Sequence, residues 1–168
     1  MKKWALMLVI IFALAWLFWP RVHEATATPE ADLQITIFIW PMQGIHSDWH
    51  REVSVAYNGE RISKDLFGDT GWWRGSNLYR HISGSYLVHE GQGGCFGFAL
   101  EPLEFNTTFD GSCVKGQVTT SAAKGHSLYY RDLIYLGHFY ETWRDEEGGR
   151  IRYSEASQTP EVELPDGP

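Results

Sequence analysis

The run His46-Ser47-Asp48-Trp49-His50 is the short stretch of this chain richest in side chains that could hold a metal or move a proton. On an extended strand, residues 46, 48 and 50 share a face, so two imidazoles and a carboxylate converge. On a helix His46 and His50 still meet, at i and i+4, but Asp48 points elsewhere. Pro41 and Gly44 place the run in a loop, where polar residues are ordinarily solvated. Spacing alone brings in no third ligand; His81 and His89 are the nearest candidates downstream.

Cys95 and Cys113 are the only cysteines. As a reactive thiol, either would need a neighbouring base and a lowered pKa. Gly-Gly-Cys95-Phe-Gly and Gly-Ser-Cys113-Val match no nucleophile motif. An even count in an exported chain reads instead as one disulfide. Closing a loop of about 18 residues would stabilise the fold by roughly 3 kcal/mol through the unfolded state.

Trp72-Trp73, joined by Trp40, Trp49 and Trp143, offers an aromatic platform of the kind on which sugar rings stack or peptides dock. Neighbours on a strand face opposite ways, so at least one of the pair is expected in the core. Other chemistries lack their signatures. There is no Gly-x-Ser-x-Gly elbow, P-loop, dinucleotide fingerprint or His-Glu-x-x-His run, so the sequence names no cofactor and no metal. Glu101 and Glu104 flank Pro102, which suggests a surface turn rather than a glycosidase pair. Asn106-Thr107-Thr108 is formally a glycosylation sequon.

The elements that must position these residues are strands. Leu33–Trp40 places Ile35, Ile37 and Ile39 on one parity. Residues 52–57 alternate and run into Asn58-Gly59, which accepts the positive φ angles of a type I′ turn, with residues 60–66 returning. A second hairpin joins 78–82 to 86–90 through Ser83-Gly84-Ser85. Strands follow at 95–100 and 114–120. The aromatic run 128–143 is expected as strand, split near Arg131-Asp132 with a bulge at Gly137, before a last strand at 150–153. Short strands with Gly-rich turns and no β–α alternation predict an all-β fold, a small antiparallel barrel or sandwich. It is expected over residues 28–153, with 154–168 an acidic, Pro-rich tail, extended or disordered.

Ahead of that domain, Lys2-Lys3 precede sixteen apolar residues, Trp4–Trp19, and then Pro20. This is the grammar of an export signal, and Ala25-Thr26-Ala27 supplies a cleavage site with the mature chain starting at Thr28. The alternative is an uncleaved apolar anchor helix, with membrane contact through residues 4–19. Two leading lysines put the folded domain on the far side of the membrane, periplasmic or extracellular. The whole chain carries −7; without Lys2, Lys3, Arg21 and Glu24 it holds 11 basic and 20 acidic residues. That balance disfavours nucleic acid. The expectation for function is a non-enzymatic envelope or secreted module presenting a β surface to a protein or glycan partner. The alternatives are a small metal-dependent or hydrolytic enzyme built on His46, Asp48 and His50, and an inhibitor or immunity protein whose acidity steers it to a basic target.

Overall fold

The computed structural model describes residues 21–42, 49–66, 73–91, 94–105, 125–146 and 149–165. Ten strands build it: β1 (His23–Glu30), β2 (Leu33–Pro41), β3 (Trp49–Tyr57), β4 (Glu60–Leu66), β5 (Ser76–His81), β6 (Tyr86–His89), β7 (Cys95–Leu100), β8 (Leu103–Phe105), β9 (Leu133–Glu146) and β10 (Gly149–Glu155). They form two antiparallel sheets, ordered β1-β2-β3-β4 and β10-β9-β5-β6-β7-β8. The all-β expectation is met, and the barrel alternative falls, because hydrogen bonding does not run from one sheet into the other.

Alternation decides which residues the sheets bury. Ile35, Ile37, Ile39, Val53 and Val55 face Leu78, Val88, Phe98, Phe139 and Ile151 in one shared core. Each such side chain contributes about 1.5–3 kcal/mol through burial. The β3–β4 connection is the Asn-Gly turn read from the sequence, with φ of 49° at Asn58 and 84° at Gly59. Gly137 sits where the β5–β9 register slips, so the expected bulge is present. A Cβ there would overlap the Ser154 carbonyl and the Tyr153 ring on β10.

The two flanks of the sandwich are closed differently from its middle. β1 adjoins β10 and β4 adjoins β8. On the first flank the Arg150 guanidinium lies 5.1 Å from the Trp49 ring centre. On the second, Lys64 of β4 reaches inward, its Nζ 5.1 Å from the Phe96 ring and 5.6 Å from Phe105.

A further layer covers the other face of the six-stranded sheet. Tyr130 packs there with Tyr79, Leu87, Cys95, Leu133 and Tyr135. Residues 156–165 cross the same side, burying Glu161 and Leu164. Ser154 and Glu155, expected in the tail, belong to β10, and residues 156–165 form a strap on the sheet. The fold also starts earlier than expected. Ala25 and Ala27 of the cleavage motif lie inside β1, 9 % and 1 % exposed, against the shared core. The apolar run Trp4–Trp19 and the expected strand at 114–120 lie outside the described residues.

Candidate functional site

The two sheets divide the polar residues into two kinds. Several on the six-stranded sheet are sunk into hydrogen-bonded networks. Arg51 of β3 crosses the core, and its Nε donates to Glu90 Oε2 at 2.8 Å. Its Nη1 donates to the Trp49 carbonyl at 3.3 Å. Ser76 Oγ donates to the other Glu90 oxygen, and Trp73 Nε1 donates to Ser76 Oγ at 3.1 Å. The guanidinium also stands over the Trp73 ring at 5.7 Å. Burial pushes the Glu90 carboxyl above its ordinary range, while Arg51 and Ser76 pull it back. With its atoms engaged by one another, this network clasps sheet to sheet.

A second network joins the strap to the sheet's outer side. Glu161 accepts from Ser127 Oγ and the Leu128 N–H, each at 2.6 Å, and from the Tyr79 hydroxyl at 2.8 Å. Burial, then the Glu161 charge, drives the Tyr79 phenol far above its ordinary pKa. Asn77 Nδ2 donates to Tyr79 Oη at 2.9 Å and to the Val162 carbonyl at 2.7 Å. Its Oδ1 is 2.8 Å from His138 Nδ1. Burial lowers His138 to about 4, against a contact with the Arg74 backbone that raises it. Ser127 Oγ also accepts from the N–H groups of Tyr129 and Tyr130, at 3.1 and 3.0 Å. That hydroxyl is spent on a turn and is not poised as a nucleophile.

The outer face of the four-stranded sheet is different. Antiparallel register aligns Thr26, Thr36, Ser54 and Ser63 in one row across all four strands. Thr26 and Thr36 hydroxyls lie 2.9 Å apart, and Arg61 Nη1 donates to Ser54 Oγ at 3.0 Å. The adjoining row is Glu24, Phe38, Glu52 and Asp65. Beyond it, Trp40 and His50 stack at 5.5 Å between ring centres, 19° from parallel. Thr36 and Ser54 are sunken, while Thr26, Ser63, Glu24, Asp65 and His50 are exposed. Among the described residues no salt bridge is made by Glu24, Glu52 or Asp65. Glu52 and Asp65 are direct cross-strand partners, and like charges placed so destabilise a sheet. A face combining ring surfaces, carboxylates and hydroxyls can stack, accept hydrogen bonds and attract cations.

The residues singled out from sequence are dispersed. His50 belongs to this open face; His46 and Asp48 lie outside the described residues. Among the described residues no group of three or more metal-ligating side chains occurs. Trp73 corrects the expected platform: it is 6 % exposed and committed to the clasp, as the strand in-and-out argument allowed. Trp72 lies outside the described residues. Cys95 is buried on the outer side of the six-stranded sheet, opposite His89, and Cys113 lies outside the described residues. Sequence reasoning missed Phe38, Glu52 and Asp65, whose only sequence signal is their position on the polar parity of strands that carry an apolar one.

Fold and face together define a two-sheet antiparallel β sandwich with a strapped back and, among the described residues, one polar-aromatic sheet surface that no further layer covers. No protein-family model matches the chain, and neither a curated protein nor a solved structure matches it.

Proposed function

We propose that the protein is an exported, non-enzymatic envelope module that takes up a protein or glycan partner on the outer face of the four-stranded sheet. The observation that carries this reading is the contrast in polar bookkeeping. The buried carboxylates Glu90 and Glu161 are saturated by the fold, whereas Glu24, Glu52 and Asp65 stand in a row beside Phe38 and Trp40 without cationic partners among the described residues. The export reading rests on Lys2-Lys3 with the apolar run, and a Cys95–Cys113 bridge fits it; among the described residues no cysteine is a free thiol.

A second reading, an inhibitor of a basic envelope enzyme, draws on the same acidic row, because such a charge steers association with cationic targets. Native mass spectrometry of the protein purified unreduced from its envelope fraction tests both. We expect extra mass, glycan or polypeptide, that is lost from a Phe38→Ala, Glu52→Lys protein. A protein partner released by raised salt favours the inhibitor, and a glycan excludes it. A bare monomer in both proteins overturns the binding-module reading.

A further inference from the structure

We propose that the chain is not cut at Ala27. Instead it keeps residues 4–19 as a bilayer anchor, with the end of the sandwich bearing Val22, Trp40 and His50 seated against the lipid headgroups. This rests on the export reading above and goes beyond it by naming the bilayer as a partner of the folded domain.

The first argument is the place of the cleavage motif. β1 pairs with β2 from His23↔Ile39 through Ala27↔Ile35, and again at Glu30↔Leu33. Removal of residues up to 27 would take five of the eight residues of β1. It would strip the backbone partners from Ile35, Ile37 and Ile39 and open the core that Ala25 and Ala27 help to seal. The alanines belong to the shared core on the strand that adjoins β10. A segment the fold requires cannot also be the discarded end of a leader. The other Ala-x-Ala, Ala13-Leu14-Ala15, lies inside the apolar run and would leave Trp16–Trp19 on the mature chain.

The second argument is distance. Only Pro20, Arg21 and Val22 separate Trp19 from β1. Three extended residues reach about 10 Å. As a helix the sixteen apolar residues span about 24 Å, short of the roughly 30 Å hydrocarbon layer. Such a mismatch draws flanking residues into the interface. The residues at that end suit it. Val22 is 59 % exposed, Pro41 and Arg21 are exposed, and the Trp40–His50 stack adds an aromatic ring beside an imidazole. Tryptophan and cationic side chains are characteristic of that depth. The opposite end of the same sheet carries Asp32, the Asn58-Gly59 turn and Glu60, none of which is a lipid-seeking side chain.

The test uses the full chain with a reporter, active only outside the cytoplasm, fused after Pro168. Intact mass, retention in membranes after a carbonate wash, and labelling by a lipid-borne carbene reagent in vesicles of phosphatidylethanolamine and phosphatidylglycerol are then read. The expected result is an active reporter, an uncut amino terminus, full retention, and label on peptides holding Val22 and Trp40 with the Asn58 turn spared. An active reporter on a chain starting at Thr28 or Trp16 overturns this inference alone. Label concentrated at the Asn58 turn overturns the seating. A silent reporter overturns the export reading beneath it.

Discussion

The four-stranded and six-stranded sheets share one core but treat their outward faces in opposite ways. On the six-stranded sheet, residues 125–133 and the 156–165 strap cover the outer side, and Asn77, Tyr79 and Glu161 bond to one another beneath them. On the four-stranded sheet, Thr26, Ser63, Glu24 and Asp65 stay exposed. Buried polar groups hold only where each finds a partner. A sheet sealed on both faces therefore has to satisfy its polar groups internally, and it becomes a scaffold. A sheet with one open face can leave its polar groups unsatisfied by protein, so that is where an outside partner has something to gain.

The contrast breaks most visibly at the clasp. Arg51→Ala leaves Glu90 buried without its cation, and we expect a loss of about 3–5 kcal/mol in urea unfolding. A loss under about 1 kcal/mol would show that the network is not the seam between the sheets. Next in size is a pH effect from the strapped side. His138 has a folded pKa of about 4, below its ordinary 6.5. The stability it contributes is complete above pH 6.5 and is lost as pH falls toward 4, by up to about 3 kcal/mol. Glu90, whose pKa is raised, works in the opposite sense, so the comparison to make is with His138→Gln, whose unfolding free energy should fall less between pH 7 and pH 4.5. Equal slopes in the two proteins would remove His138 from the account. The smallest effect belongs to the open face. Glu52→Ala relieves its like-charged neighbour Asp65 and should raise stability by no more than about 0.5 kcal/mol in the same assay, while weakening partner capture. A core-sized loss there would erase the distinction between the faces.

Much of the scaffold was legible. Ile35, Ile37 and Ile39 announce β2, and Asn58-Gly59 fixes the β3–β4 hairpin because few other pairs accept two positive φ angles. β1 was hidden because its inward residues are alanines: His-Glu-Ala-Thr-Ala-Thr has period two, yet reads as a leader's end. β8, three residues long, is below the length at which alternation speaks. The strap was hidden for another reason. Glu161 meets Tyr79 and Ser127 across 82 and 34 residues, and no local pattern reports such a pairing. The open face was illegible for the same cause. Its rows exist only once the register of four strands is set.

The inward lysine of β4 has a consequence for the margins of the sandwich. Unprotected edge strands invite neighbouring chains to add to a sheet. Here β1 lies along β10, and β4 along β8 with the Lys64 ammonium tucked over Phe96 and Phe105. An incoming strand at that margin would have to dislodge a cation from its aromatic seat. Strand addition at that margin is thereby disfavoured.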